Sequence, residues 1–360
     1  MIVDWEMKTI SSTRTIHRCR QRRIYYMLTY FRWSKIRWLV LGILFTIFLV
    51  QFIQINSVTY PAYFRMLFGT YFPNIFGVFS DESETTTIAP EIVIDMNDRT
   101  PSYKLVLRAD DRTYIDPDRA QAQLLENLKL YETCQHDPLT TVVHIGPFLG
   151  DFGLYAAACG CIVYIFEPQP NLIPLINSSI RHNEFSTYRV RLFNKVVNDL
   201  PSNTSVQYPP GDGSPSALDD PATVTTIQLD DIDWPSQSIY LLKIDAEGFE
   251  MNVFHSAKNL FAQKRVRHLI FKYHPWLIDR GTQKELLPYV SKEFKAKFIY
   301  CLYRTENIIY GPLRPRDIQL FYDQHVNVDL PADVYAALDE NAKRATIKSQ
   351  RYNTNKNVAF

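Results

Sequence analysis

Four polar positions in this chain stand where an apolar run stops, which is where an α/β protein keeps its chemistry. His144 opens HIGPFLG, Glu167 follows Ile162–Phe166, Asp245 and Glu247 follow Ile239–Ile244, and His274 follows Val266–Tyr273. Gly146 and Gly150 bracket a turn whose backbone can approach a ligand. The helix start after that turn offers free amides to a carboxylate or phosphate. Glu167 is placed to accept hydrogen bonds from ribose hydroxyls. Asp245 or His274 could take a proton from an acceptor hydroxyl, with Glu247 beside them at the cleft mouth. Each position also has a plainer reading. Lys243 and Lys272 on neighbouring strands could simply pair with the two acids, and a histidine before Pro275-Trp276 is commonly a satisfied surface or core residue. No cluster of His, Asp or Cys has metal-ligand spacing, so no metal site is expected.

These groups need a scaffold, and the hydrophobic pattern supplies one. TTVVHIGPFLGDFGLYAAACGCIVYIFEPQ, residues 141–170, reads as strand, glycine turn, helix and buried strand. A crossover of this length makes the two strands parallel. The Gly-x-x-x-Gly spacing fits a dinucleotide fingerprint poorly and the looser turn of S-adenosylmethionine enzymes better. Further strands are expected over Arg189–Val197, Val224–Leu229, Ile239–Ile244, Val266–Tyr273 and Lys297–Tyr303. Helices are expected over Pro117–Cys134, Asn171–Asn183, Phe249–Phe261, Gln283–Phe294 and about 331–345, with a long loop over Pro201–Pro221 and a disordered end from Lys348. The alternation predicts a Rossmann-like, doubly wound α/β sheet.

The rest of the chain bears on location. Its net charge of +1 gives no sign of a nucleic-acid partner, yet residues 1–37 carry nine Lys/Arg against Asp4 and Glu6. Trp38–Ile55 follows without a charge. As a helix it would span about 27 Å, close to the hydrocarbon thickness of a bilayer. The charge asymmetry keeps the basic end cytosolic and sends the remainder to the lumen. The expected organisation is a cytosolic tail (1–37), a transmembrane signal-anchor helix (38–58), a stem and linker (59–101), a catalytic domain (102–330) and a C-terminal helix with a polar tail (331–360). This is a single-pass type II membrane protein of the Golgi or another secretory-pathway membrane, with the bilayer as one partner. Sequons at Asn177 and Asn203 suit a luminal glycoprotein. Cys134, Cys159, Cys161 and Cys301 would meet an oxidising lumen. A bridge from Cys159 or Cys161 to Cys134 or Cys301 is possible, and the sequence leaves the pairing open.

The order HIGPFLGDF, YIFEPQPN, IQLDDI and LLKIDAEGFEMNVF resembles the FkbM-type family of S-adenosylmethionine-dependent methyltransferases. The family pattern is D-x-G-A-N-x-G, an E-P pair, L-D-D and K-I-D-x-E-G-x-E, and KIDAEGFE is the most specific match. The resemblance covers about residues 120–300 and implies the class I methyltransferase fold with S-adenosylmethionine as cofactor. It puts His144, Gly146, Gly150 and Glu167 at the cofactor and Asp245 and Glu247 toward cofactor or acceptor. It also implies O-methylation of a small molecule or glycan. The chain departs from the family where His144 replaces an acid, Pro147-Phe148 replaces Ala-Asn, and Lys272 stands where an acid is common. A protonated His144 would repel the cationic cofactor, and Pro147 removes an amide from the turn. A relative that keeps the fold as a cofactor-free binding module is the competing expectation.

Overall fold

A computed structural model describes residues 89–114, 119–208, 221–275, 283–303, 308–328 and 330–351, all within one compact unit that runs from Ile88 to Phe360. The expected cytosolic tail, the anchor helix and most of the stem lie outside the described residues. Among the described residues no helix is long and apolar enough to cross a membrane.

The first elements form a lobe on one face of the sheet. β1 (Glu91–Met96) and β2 (Tyr103–Arg108) pair antiparallel, followed by α1 (Arg119–Asn127) and α2 (Leu130–His136). The expected linker therefore ends in a strand. EIVIDM alternates outward and inward, the period of a half-buried strand, although its surroundings are acidic and rich in threonine. The single helix expected over 117–134 is broken, because Lys129 turns left-handed (φ 54) between α1 and α2. Ala120, Leu124, Leu125 and Leu128 are buried as expected, whereas Tyr131 is exposed.

The core alternation follows. β3 (Thr141–Ile145), α3 (Asp151–Ala158), β4 (Ile162–Phe166), α4 (Ile173–His182) and β5 (Val190–Phe193) form two successive crossovers between parallel strands. β6 (Val196–Val197), β7 (Ser205–Tyr208) and β8 (Ala222–Ile227) make a small separate sheet, so part of the expected 201–221 loop is strand. Then come β9 (Ile239–Ile244), α5 (Glu250–Ser256), α6 (Lys258–Ala262), β10 (Val266–Tyr273), α7 (Gln283–Lys292), β11 (Phe298–Tyr303), β12 (Ile308–Tyr310), α8 (Ile318–Asn327) and β13 (Ala332–Ala337).

The eight-stranded sheet has the order β12-β11-β13-β10-β9-β3-β4-β5. β5, β4, β3, β9 and β10 run parallel, while β13 is antiparallel to both β10 and β11. The sheet is thus mixed rather than uniformly parallel. Two corrections follow at the C-terminal end. Residues 332–337 are a central strand and not a helix, buried at every position between β10 and β11, so the domain does not stop at 330. Gln350 docks on β12, its amide donating to the Ile309 carbonyl at 2.8 Å, so the polar end is ordered at least that far.

Each sheet face carries its own apolar layer. Val142, Val163 and Ile165 pack with α1–α4 and the β1–β2 hairpin, and Val143, Tyr164 and Ile244 pack with α5–α8. Because successive strand side chains alternate faces, strands buried on both sides read as unbroken apolar runs. Cys134 in α2 and Cys161, just before β4, form a disulfide, while Cys159 and Cys301 are buried and outside it.

Candidate active site at the strand ends

The strand order reverses between β3 and β9, which opens a crevice at the carboxyl ends of these neighbours. Backbone bonds tie the end of β3 to both of its neighbours, β9 and β4. The Asp245 amide donates to the Ile145 carbonyl (2.9 Å), and the Gly146 amide donates to the Phe166 carbonyl (3.0 Å). Gly146 (φ +66) has no room for a side chain, since a Cβ there would lie 1.8 Å from the Asp245 carbonyl oxygen. Its first role is therefore close approach of two backbones. Gly150 (φ +90) meets only ordinary contacts and is needed for its left-handed turn. Between them Phe148 is also left-handed (φ 54), a conformation that suits the family's asparagine better than phenylalanine.

Glu167 lies beneath this turn at 1% exposure. One carboxylate oxygen accepts from the Phe148 amide (3.1 Å) and the other from the Gln169 amide (2.8 Å). Pro147 therefore does not remove the amide that matters here, because Phe148 supplies it. Burial pushes the Glu167 carboxyl up to about 8, against the pull of the two amides and with a smaller push from Asp245. A carboxyl raised above its unfolded value near 4.5 stabilises the fold at low pH, and that contribution is lost as pH climbs from there through about 8. Melting temperature should accordingly decline more steeply between pH 5 and 8 in the wild type than in Glu167→Gln. Parallel pH–melting curves by scanning calorimetry would contradict this.

His144 is buried on the α3 face, its ring edge-on to Phe152 at 5.2 Å. Burial and then the neighbouring Lys243 ammonium hold its pKa well below the ordinary value, with Asp245 opposing. The imidazole is neutral at physiological pH, so the charge repulsion anticipated from sequence does not arise. His144 and Glu167 are both enclosed, at 3% and 1% exposure.

Asp245 and Lys272 form an ion pair (3.1 Å), with side chains 16% and 15% exposed. The plainer reading of Asp245 is thus correct as far as its partner goes, and the partner is the lysine on the next strand. Lys243 instead lies over the Phe152 ring at 5.2 Å. Lys272→Met should lower stability by about 1–2 kcal/mol by removing the ammonium that pairs with the half-enclosed Asp245 carboxylate. Adding Asp245→Asn should recover part of that loss, and strict additivity in a urea-denaturation cycle would contradict the coupling.

Glu247 and His274 come together, with Nδ1 3.7 Å from a carboxylate oxygen. The structure thus gathers Gly146, Gly150 and Glu167 on one side of the switch point, and Asp245, Glu247 and His274 on the other. The L-D-D motif is structural: Asp230 accepts the amides of Asn259 and Leu260 (2.8 and 3.0 Å) and caps α6. Sequence reasoning missed the contact of the N-terminal hairpin with the residue after the glycine turn. Arg99 pairs with Asp151 (3.1 Å), Tyr103 hydrogen-bonds the same carboxylate, and the Tyr155 hydroxyl donates to the Thr100 carbonyl (3.2 Å). No local pattern links residues so far apart in sequence.

The strand order and the strand-end site define a class I methyltransferase-like α/β domain with a mixed central sheet. Residues 144–297, which carry the site, match the family model of the methyltransferase FkbM domain. No curated protein matches the chain. Among solved structures, the chain is similar to a human methyltransferase 10 domain containing protein at 11% identity, covering 62% of this chain and 83% of that one with a TM-score of 0.33. It is also similar to the N-terminal domain of human METTL16 in complex with SAH, at 10% identity over 61% and 70% of the two chains with a TM-score of 0.34. A third, a putative SAM-dependent methyltransferase from Streptococcus mutans, gives 14% identity over 69% and 56% with a TM-score of 0.34. All three likenesses are remote.

Proposed function

We propose that this protein is a membrane-anchored S-adenosylmethionine-dependent methyltransferase that methylates a hydroxyl of a glycan or glycoconjugate. The observation that carries the reading is the Glu167 carboxylate at the end of β4, fastened to the glycine turn through Phe148. Each of its oxygens accepts one amide, and in its ionised form, reached above about pH 8, the group has lone pairs for two further donors, which suits a ribose diol. Neutral His144 and the left-handed turn are compatible with the same ligand. When bound, S-adenosylmethionine supplies a methyl group on an electrophilic sulfonium. Glu167 would hold the ribose, and the Gly146–Gly150 turn would place the ligand at the switch point.

One observation favours a cofactor-free binding module instead. Glu167 is closed off from solvent, so a ribose reaches it only if the turn over it yields. The test is the ratio of affinities in Glu167→Gln and wild type. Measured above about pH 8, where the wild-type carboxyl is ionised, loss of this charge-assisted acceptor is expected to weaken S-adenosylmethionine binding by ~1.5–3 kcal/mol. Equal calorimetric affinities would remove Glu167 from the site and take the reading with it.

The location rests on the sequence. The basic residues 1–37 and the uncharged stretch that follows support a type II anchor with a luminal domain in a Golgi or other secretory membrane. The Cys134–Cys161 disulfide supports an oxidising compartment. Asn177 and Asn203 are both exposed and available to carry glycans. Protease added to sealed vesicles should remove only the first ~35 residues, the part that charge asymmetry assigns to the cytosol. Digestion of the large domain would reverse the orientation.

A further inference from the structure

The turn after β9 is built from below. Glu250 is 1% exposed and one of its oxygens accepts the amides of both Ala246 (3.1 Å) and Gly248 (3.3 Å). Gln283, the first residue of α7 and 2% exposed, donates to the Gly248 carbonyl (2.8 Å) and to the other Glu250 oxygen (3.0 Å). This clamp holds Glu247 left-handed, with φ 47, next to Gly248 at φ 100. A left-handed glutamate is costly, and such strain persists only where the surroundings over-determine it. The clamped turn brings Glu247, its side chain 41% exposed, to within 3.7 Å of His274, whose side chain is 14% exposed.

Resting on the methyl-transfer reading, we propose that His274 and Glu247 form the proton-accepting pair on the acceptor side of the crevice, with Glu250 and Gln283 as its positioning residues. His274 takes the proton that leaves the acceptor hydroxyl as the oxygen–methyl bond forms. The electron pair of the breaking carbon–sulfur bond stays on the donor's sulfur, which becomes a neutral thioether. The Glu247 carboxylate, 3.7 Å from Nδ1, stabilises the imidazolium that forms. Asp245 does not fill this role, because its carboxylate is paired with Lys272. Among the described residues, the charged groups on the adjoining elements are Glu247 and Asp245 of the β9 turn, Glu250 under that turn, Lys272 two residues before His274, and Asp333 of β13 in register with Lys272.

The test needs no cofactor, so it can fail while S-adenosylmethionine still binds, and the converse also holds. Histidine ring resonances of the full chain are titrated by NMR in wild type, Glu247→Gln, Glu247→Gly and Gln283→Ala. Loss of the partner carboxylate is expected to raise the acid dissociation constant of His274 about threefold to tenfold in both Glu247 variants. Glu247→Gly should in addition melt higher than Glu247→Gln, since glycine relieves the left-handed strain. Gln283→Ala should move the His274 midpoint in the same direction, a readout that a purely structural role would leave in place. Diethyl pyrocarbonate should carbethoxylate His274 in wild type at pH 8, as required of a ring that receives a proton from a bound substrate. An unchanged midpoint in Glu247→Gln, or a His274 inert to that reagent, would overturn the pair.

Discussion

Gly146→Ala should destabilise the domain by about 4 kcal/mol, in the range reserved for steric disruption at a special backbone position. A Cβ at this residue would lie 1.8 Å from the Asp245 carbonyl oxygen and 2.8 Å from its carbon, so something must shift. Neither side can give way cheaply. Gly146 is bonded to Phe166 of β4, and Asp245 is bonded to Ile145 of β3. Parting them opens the sheet at its switch point. The left-handed φ of +66 adds a second penalty for any side chain. Gly150→Ala is the control. Its Cβ would meet Ile176 and Leu154 at 3.5 and 3.6 Å, so only the conformational cost of φ +90 remains, about 1–2 kcal/mol. Chemical denaturation of both variants separates the contributions, and equal losses would contradict the close backbone approach.

Removing the disulfide ranks next. Cys134 and Cys161 are 27 residues apart in sequence, and closing a loop of that size restricts the unfolded chain by roughly 3.5 kcal/mol in the chain-entropy account. Cys134→Ser and Cys161→Ser should each lose roughly that much, and the double variant should lose little more, because the second change removes nothing further from the loop. Cys159→Ser should cost less than either, as Cys159 is a free buried thiol. Urea midpoints that do not differ between wild type and Cys134→Ser would show that the bridge is absent from the protein in solution. The same comparison informs location, since a bridge that contributes this much requires a compartment that keeps it oxidised.

The elements most legible in the sequence were strands buried on both faces. β9 and β10 occupy Ile239–Ile244 and Val266–Tyr273, the bounds that their apolar runs set. β13 shows where such reading ends. ADVYAA has alanines that favour a helix, and a short apolar run carries no period to decide between the two. Its slot between β10 and β11 overrides propensity. Helix breaks at Lys129 and Ala257 were likewise invisible, because one continuous helical face ran through each.

The candidate site divides in the same way. Which strands end in polar groups was legible, since each acid or histidine terminates an apolar run. Which group meets which was not, because pairing depends on strand order and register. Asp245 had two lysines to choose from, and adjacency of β9 and β10 gives it Lys272. Burial was equally hidden. Glu167 reads as a strand-terminating acid, and only packing of the turn above it shows that its carboxyl is enclosed and raised to about 8. The Glu250–Gln283 clamp joins a motif residue to the start of a later helix, a contact that no local spacing encodes.

The central claim is that the crevice between β3, β4 and β9 holds S-adenosylmethionine. Isothermal titration of the purified wild-type protein with S-adenosylmethionine, repeated with S-adenosylhomocysteine, tests it most directly. The account predicts saturable binding of both ligands at one site per chain, competition between them, and weaker binding of each to Glu167→Gln. No heat of binding for either ligand up to millimolar concentration, from protein whose circular dichroism and melting show it folded, would contradict the account and leave a methyltransferase-like domain that binds something else.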